Sequence, residues 1–288
     1  MTLRATRLAF SGLGAVLPEP MALLAERLYF SARRHRLPER ERDILDDGVP
    51  FTLATDVGVV AASRWEPLLP WERADRGTVL LVHGWEGRAS QLGAFIQPLL
   101  ARGFTVVGAD APGHGRSAGG AIDLRQYGEL LGELSRALAD DAPPVRAVIA
   151  HSFGGAATTL ALEAAQLDVD AAVLVAPPCS LDKYADIFSR TLGLTKATEA
   201  IFRSRLDARF GKDWARSFAL HTRAPAIDTP ALIVHDVDDT ETAFSEGAQL
   251  ASAWPRSTLM ATNGLGHRRI LRDEAVVDAV AAFIDRHV

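Results

Sequence analysis

Short apolar runs alternate with longer amphipathic stretches along the chain beyond residue 50. Five runs are apolar at nearly every position, which is typical of strands buried on both faces of a parallel sheet. They lie at 78–84, 104–110, 145–150, 171–176 and 230–236. Two shorter segments, "FTLAT" and "VVAASRW", flank a turn at 56–58 and predict a pair of strands, and "STLMAT" predicts a last strand near the end.

The stretches between these runs have helical periodicity. They lie at about 89–103, 123–139, after 152, 244–253 and 272–287. Alternation of this kind predicts an α/β protein with a mostly parallel, doubly wound sheet flanked by helices.

One stretch interrupts the alternation. Residues 178–228 contain no convincing strand and have helical periodicity throughout, which predicts a small helical cap inserted into the fold. The predicted domains are therefore a core formed by 51–177 and 229–288, the cap at 178–228, and an N-terminal helical extension at 1–50. A cap over the carboxyl ends of the strands would cover the edge at which such folds bind ligands.

The N-terminal segment begins with basic residues before an apolar run, "LAFSGLGAVL", as a signal peptide does. That run is too short to span a bilayer, and no clean A-x-A cleavage site follows it. The next stretch, "MALLAERLYFSARR", has apolar residues at helical spacing and basic residues at its end. We expect a cytoplasmic chain with N-terminal helices and no transmembrane segment; peripheral membrane contact through this amphipathic start is the less favoured alternative.

Composition excludes several classes of function. A net charge of −5 and a pI near 5.9 argue against a protein that binds nucleic acid through a basic face. The single cysteine, Cys179, permits no internal disulfide, and an inert core position is favoured for it over a reactive thiol. No metal-ligand spacing, Gly-rich dinucleotide turn or P-loop is present, so neither a cofactor nor a metal is expected.

Two serines compete for the role of nucleophile. Ser152 follows the strand "VRAVIA" directly and precedes "FGGAATTLALEAA", so it lies on a sharp turn from strand to helix, although Ala150 stands where the pattern G-x-S-x-G has glycine. The alternative is that Ser152 only caps the helix. Ser117, in "GRSAG", matches the letters of the pattern, but no strand runs into it and no helix follows, so we interpret it as a loop serine.

A serine nucleophile needs a base, and the base needs a carboxylate that fixes its tautomer. Asp236, Asp238 and Asp239 all follow the strand at 230–236, and His267 follows the strand "STLMAT" in a Gly-rich turn. The order Ser, Asp, His, each just after a strand of one sheet, is much less expected by chance than any one of these residues.

Five stretches in this order, "LVHGWEG", "GADAPGHGRSAG", "AHSFGG", "LIVHDVDD" and "GLGH", resemble the α/β-hydrolase superfamily from about residue 51 to 288. The resemblance implies Ser152 as the nucleophile, His267 as the base and Asp239 as the acid, the last by alignment with the family pattern H-G-x-x-D. This chain has Asp236 where glycine is usual, so Asp238 remains a second candidate for the acid.

The resemblance also implies an oxyanion hole formed by the backbone N–H groups of Trp85 and Phe153. The Trp85 ring could equally line an acyl pocket or pack in the core. Glu86 and Arg88 beside it are unusual charges, for which a local ion pair is favoured over hydrogen bonding to substrate. A structural role is favoured for the other histidines near strand ends and in loops, namely His83, His114 and His151.

The function predicted from these residues is a serine hydrolase that cleaves carboxylic esters with a small or medium apolar acyl group, acting on a small-molecule substrate through an acyl-enzyme. Thioesters, lactones and amides would use the same machinery. A non-catalytic scaffold that binds or signals is the alternative from another class.

Overall fold

The computed structural model describes residues 3–68 and 76–288 of the 288-residue chain. Within them the chain divides into two compact units. The helical unit comprises Met1–Ser31 and Ser180–Ala219, and the sheet unit comprises Ala32–Cys179 and Leu220–Val288. The domain boundaries inferred from the sequence stay predictions.

The described strands of the sheet unit form one sheet of eight. They are β1 (Val49–Thr55), β2 (Gly58–Trp65), β3 (Thr78–Val82), β4 (Thr105–Asp110), β5 (Val145–His151), β6 (Ala171–Val175), β7 (Ala231–Asp236) and β8 (Ser257–Thr262). Their order in the sheet is β1-β2-β4-β3-β5-β6-β7-β8. The pairs β1–β2 and β2–β4 are antiparallel and all others are parallel, so the α/β fold predicted from the alternating pattern is confirmed.

The described α-helices are numbered along the chain. They are α1 (Leu3–Val16), α2 (Pro18–Tyr29), α3 (Glu39–Asp46), α4 (Ile96–Leu100), α5 (Leu124–Leu138), α6 (Phe153–Glu163), α7 (Asp182–Leu192), α8 (Lys196–Phe210), α9 (Trp214–Ser217), α10 (Phe244–Ala253), α11 (Gly266–Arg269) and α12 (Glu274–His287). None of the helices in the described ranges is long and apolar enough to cross a membrane.

The central strands are buried along almost their whole length, as continuous apolar runs require. Val79, Leu81, Ile149, Val173 and Val234 all belong to one core cluster on this sheet. Each fully buried aliphatic side chain of this size stabilises the fold by roughly 1.5–3 kcal/mol relative to exposure. Because β5, β6, β7 and β8 are consecutive and parallel, their carboxyl ends meet at one edge of the sheet.

The prediction of a single helix at 89–103 is wrong in one respect. A 3₁₀ helix at Ala89–Phe95 comes first, and the separate helix α4 begins at Ile96. Pro98 explains the break, because a proline inside an α-helix lacks the N–H and clashes with the carbonyl four residues earlier. When the helix restarts at Ile96, Pro98 falls in its first turn, where no N–H is required.

The helical unit has its own small core. Phe10, Met21 and Ala25 are buried from α1 and α2, and Phe202 and Leu206 are buried from α8. The Tyr29 ring meets Phe188 and Phe202 edge to face, at centroid distances of 5.1 and 5.5 Å. The helix predicted over "MALLAERLYFSARR" ends at Tyr29, so the basic residues that follow are outside it.

Candidate active site

Ser152 has a backbone conformation that residues other than glycine rarely adopt. Its φ is 52° and its ψ is −122°, between the end of β5 and the start of α6. Its N–H donates to the carbonyl of Val175 at 2.9 Å, and its own carbonyl accepts from Gly155 at 2.8 Å, so the turn is held from both sides. Its side chain makes no capping hydrogen bond to the helix, so the alternative of a simple N-cap lacks its defining contact. A strained residue kept in place by its surroundings is typical of a functional site.

Small residues allow this turn to form. A Cβ at Gly154 would lie 2.5 Å from the carbonyl oxygen of His83, so only glycine lets α6 start this close to β3. Ala150 is fully buried within β5, where it pairs with Val82 and Leu174. The structure accommodates its methyl group at the position where the family pattern has glycine.

Asp239 and His267 are brought together at the neighbouring strand ends. His267 Nδ1 lies 2.7 Å from Asp239 Oδ2, and both residues are buried. Because a carboxylate accepts, Nδ1 carries the proton, which leaves the lone pair on Nε2 available to take a proton. Ser152 makes no hydrogen bond to His267 within residues 3–68 and 76–288, so one of the two hydrogen bonds of a triad is not formed. Such hydrogen bonds are often long before substrate binds.

The Asp239 carboxylate is held by several donors. Its Oδ1 accepts from the N–H groups of Glu241 and Thr242, at 2.8 and 2.9 Å. Burial raises the pKa of Asp239, but the His235 and His267 imidazoles and the Thr242 N–H outweigh burial, so the pKa lies well below its ordinary value. Asp239 is therefore charged at neutral pH, as a carboxylate that orients a histidine must be.

The Asp238 side chain contacts the loop after β8 at Gly264. Its Oδ2 accepts from the N–H of Gly264 at 2.9 Å, and the residue is exposed. Of the two candidates left open by the sequence, only Asp239 contacts His267 in this structure.

Asp236 is fully buried, and its carboxylate connects the loop after β7, which carries Asp239, to the loop after β8, which carries His267. Its Oδ2 accepts from Thr262 Oγ1 at 2.7 Å and from the Leu265 N–H at 3.0 Å, and its Oδ1 accepts from the Asp238 N–H at 3.0 Å. Burial raises the pKa of Asp236. These hydrogen bonds, together with one from the Gly266 N–H, lower the pKa by more than burial raises it, so it lies below its ordinary value. The charged side chain thus ties the loop after β8 to the loop after β7.

We expect Asp236→Gly, which places the residue usual in the family here, to lower kcat for a test ester by about tenfold to a hundredfold with little change in KM. The reason is that small displacements of catalytic groups have effects of this size. Thr262→Val removes one of the four donors to Asp236 and should have a smaller effect. Steady-state kinetics and thermal unfolding distinguish positioning of the two loops from stabilisation of the fold. A lower Tm with unchanged kcat would mean that Asp236 only stabilises the fold.

His235 is a second imidazole beside Asp239. Its Nε2 donates to the Thr242 carbonyl at 2.9 Å and lies 3.6 Å from Asp239 Oδ2. Its Nδ1 has no hydrogen-bond partner in the described part of the chain and faces Gly247, where a Cβ would lie 2.2 Å away. The sequence argument used His235 only to align the acid and missed this contact. The signal available was its position four residues before Asp239.

The remaining histidines near the site have structural contacts. His151 Nε2 donates to the carbonyl of His267 at 3.0 Å, and burial lowers the pKa of His151 to about 3. His83 Nε2 accepts from the Ala111 N–H at 2.9 Å, and burial lowers the pKa of His83 to about 4. His114 Nδ1 donates to the Pro112 carbonyl at 3.0 Å, and burial lowers its pKa as well. Buried, neutral imidazoles of this kind hold backbone groups in place, and His151 does so at His267.

Trp85 and Phe153 lie close to each other at the ends of β3 and β5. Their rings meet edge to face at 5.4 Å, and Trp85 also meets His114 at 5.3 Å. Both residues are half-buried. Within the described ranges, neither backbone N–H donates to another group, so both remain available to an oxyanion.

Glu86 and Arg88 pair with residues far upstream rather than with each other. Arg88 Nε lies 2.6 Å from Glu41 Oε2, and both side chains are buried. Glu86 Oε2 lies 3.2 Å from His35 Nε2, and Glu86 Oε1 accepts from the Arg33 N–H at 3.2 Å. The local ion pair favoured from the sequence is therefore replaced by these long-range contacts, which fix the segment around α3 to the loop after β3.

Ser117 and Cys179 lie in structural surroundings. Ser117 Oγ accepts from the Ala61 N–H at 2.8 Å and donates to the Asp110 carbonyl, which fixes its loop to β2 and β4. Cys179 is fully buried, and its Sγ lies 3.5 Å from His221 Nδ1. Ser117 belongs to a loop, as the sequence argument predicted.

Comparisons with known proteins agree with this fold. A family model described as serine aminopeptidase, S33, matches residues 73–207. A monoacylglycerol lipase of Mycolicibacterium smegmatis is 36% identical over 84 residues, which cover 28% of this chain and 30% of that protein. The match thus spans less than a third of the length of this curated relative.

Solved structures extend the similarity over most of the chain. An esterase of Pyrococcus furiosus has a TM-score of 0.64 at 21% identity, covering 89% of this chain and 99% of that one. A monoacylglycerol lipase of Paleococcus ferrophilus has a TM-score of 0.60 at 18% identity, covering 80% and 99%. A bacterial membrane phospholipase A has a TM-score of 0.64 at 17% identity, covering 99% and 97%.

The sheet topology and the similar solved structures define the class of fold. This chain has the α/β-hydrolase fold.

Proposed function

We propose that this protein is a serine hydrolase that cleaves carboxylic esters, with Ser152 as the nucleophile, His267 as the base and Asp239 as the acid. The observation that carries the proposal is the buried contact of 2.7 Å between His267 Nδ1 and Asp239 Oδ2, at the same edge of the sheet as a serine held at φ 52°. A serine, a carboxylate and an imidazole on the turns after β5, β7 and β8 form the arrangement required for acyl transfer.

The reaction proceeds through an acyl-enzyme. Ser152 Oγ attacks the ester carbonyl carbon while His267 Nε2 takes its proton, and the negative charge that develops on the carbonyl oxygen is stabilised by the N–H groups of Trp85 and Phe153. His267 then donates the proton to the departing alcohol. Water, deprotonated by His267, then attacks the acyl carbonyl carbon; the bond to Ser152 Oγ breaks, the carboxylic acid leaves, and His267 returns the proton to Oγ. Asp239 keeps the proton on Nδ1 and stabilises the imidazolium at each step.

The proposed substrates are esters with small to medium apolar acyl groups. The names of the relatives, two monoacylglycerol lipases and an esterase, support an ester and make a monoacylglycerol a specific candidate. The match to a model described as serine aminopeptidase supports aminoacyl amides as the second candidate, since the same groups can cleave them.

The test combines covalent labelling with a substrate panel. We expect a fluorophosphonate probe to label the protein at Ser152, located by peptide mass spectrometry. We also expect hydrolysis of p-nitrophenyl esters and a short-chain monoacylglycerol to exceed that of a thioester, a lactone and an aminoacyl anilide. Faster cleavage of the anilide would favour the aminopeptidase alternative. Absence of labelling together with absence of turnover across the panel would favour a non-catalytic scaffold.

A further inference from the structure

The helical unit exposes many large apolar side chains. Twelve large hydrophobic residues are exposed in the described part of the chain, and eight of them belong to this unit. Seven come from α1, α2 and the residue between them: Leu8, Leu13, Val16, Leu17, Leu23, Leu24 and Leu28. Monomeric proteins expose single apolar residues commonly, but such a concentration in about 20 residues indicates an interaction site.

These side chains are not needed for the core of the unit. The inward face of α1 already packs through Phe10 and through Gly14, whose carbonyl accepts from Thr195 and Thr198 at 3.1 and 3.3 Å. A Cβ at Gly14 would lie 2.8 Å from Thr198 Oγ1, so this face is already in close contact. The inward face of α2 is formed by Met21, Ala22 and Ala25. The exposed leucines lie outside these inward faces.

The exposed residues recur at helical spacing. Arg4, Leu8, Gly12 and Val16 are four residues apart and exposed, so they form one row along α1. We name the exposed side chains of α1 and α2, together with Leu17, the outer face. A row that starts with an arginine and continues with aliphatic residues suits a boundary between charged headgroups and acyl chains.

Charge favours an anionic occupant. Helix α1 contains two arginines and no acidic residue. Helix α2 contains one arginine and two glutamates, of which Glu26 forms an ion pair with Arg205. Over residues 1–31 and 180–219, which form the helical unit, the sequence has eleven basic and seven acidic residues, a balance of +4. The rest of the chain holds the other 20 basic and 29 acidic residues, a balance of −9, so the positive charge is concentrated in the helical unit.

We propose that the outer face of the helical unit binds the surface of an anionic lipid bilayer. The apolar side chains enter the boundary between headgroups and acyl chains, and the arginines contact the anionic headgroups. A second copy of the chain is the less favoured occupant, because a two-fold interface would bring identical basic helices together. The proposal depends only on the helical unit and not on the chemistry proposed for the sheet unit.

The test is flotation of the full-length protein with vesicles of ether-linked phospholipid, which contain no ester bond and so are not hydrolysed. We expect binding to vesicles that contain phosphatidylglycerol, weaker binding to vesicles of phosphatidylcholine alone, and release as salt is raised, because screening weakens the headgroup contacts. Binding of equal strength to both vesicles at all salt concentrations would contradict the charge argument, and no binding to either would overturn the proposal.

A matched pair of double variants locates the surface. Leu8→Glu with Val16→Glu removes two exposed apolar residues of α1, and Leu68→Glu with Val59→Glu does the same in the sheet unit with the same change in charge. The first pair should weaken vesicle binding about tenfold or more and the second should leave it within about twofold. Equal losses would mean that added negative charge alone explains the effect. Circular dichroism verifies that both variants are folded.

Light scattering in solution tests the alternative occupant. We expect wild-type protein and both variants to have the same mass in the absence of vesicles. A wild-type dimer that Leu8→Glu with Val16→Glu converts to monomer would assign the outer face to a second copy and overturn the lipid proposal.

Discussion

Ser152→Ala is expected to lower kcat for p-nitrophenyl esters by a factor of roughly 10⁴ to 10⁶. Without the hydroxyl no acyl-enzyme forms, and only the contribution of the oxyanion donors and of binding remains. KM should change little, because the ground-state contacts with substrate survive. Initial rates with enough enzyme to measure the residual activity, together with loss of fluorophosphonate labelling, verify the result.

Ser117→Ala is the control for this prediction, since Ser117 stands in the sequence pattern that Ser152 only approximates. Its hydroxyl joins the Ala61 N–H and the Asp110 carbonyl, so its removal should reduce stability by about 1–3 kcal/mol while kcat stays within a few-fold. Retention of full turnover by Ser152→Ala, or loss of labelling in Ser117→Ala with an unchanged fold, would contradict the assignment of the nucleophile.

Asp239→Asn is expected to lower kcat by roughly 10³ to 10⁴, while the structure of the site is preserved. An amide NH₂ facing His267 leaves Nδ1 as the acceptor, so the proton moves to Nε2 and the imidazole can no longer accept one from Ser152. The loss should appear in kcat more than in KM, because the change acts on proton transfer. Stopped-flow measurement of the acylation step would show the same reduction.

Asp238→Asn is the matched control, one residue away with the same chemical change. Asp238 is exposed and accepts only the Gly264 N–H among the contacts described for its side chain, so its neutralisation should alter kcat by less than about threefold. A larger effect of Asp238→Asn than of Asp239→Asn would move the role of the acid to Asp238 and would mean that the loop rearranges when substrate binds.

Much of the fold could be predicted from local pattern. Strands buried on both faces produce continuous apolar runs, and the run at 145–150 differs from β5 by one residue, while that at 257–262 matches β8. The choice of Ser152 over Ser117 followed from the same pattern, because only Ser152 lies between a strand and a helix. The helix at 89–103 was mispredicted because apolar periodicity outweighed the effect of Pro98.

The acid could not be chosen from sequence in the same way. Asp236, Asp238 and Asp239 lie within four positions, and a pattern of apolar and polar residues does not state where each side chain points. The turn after β7 decides this, because the Asp239 N–H donates to the Asp236 carbonyl at 3.2 Å and the turn presents Asp239 to His267. Glu86 and Arg88 were likewise ambiguous, since their partners His35 and Glu41 lie about 50 residues upstream.

By itself the sequence determined the order of the elements, the α/β class of the sheet and the strand ends at which Ser152 and His267 stand. These follow from burial, which acts on each strand through the apolar character of its own residues. Only the tertiary structure decided that Asp239 contacts His267, that Asp236 connects their two loops and that Ser152 has a positive φ. Those features depend on hydrogen bonds between residues far apart in the chain, whose distances and directions no local pattern encodes.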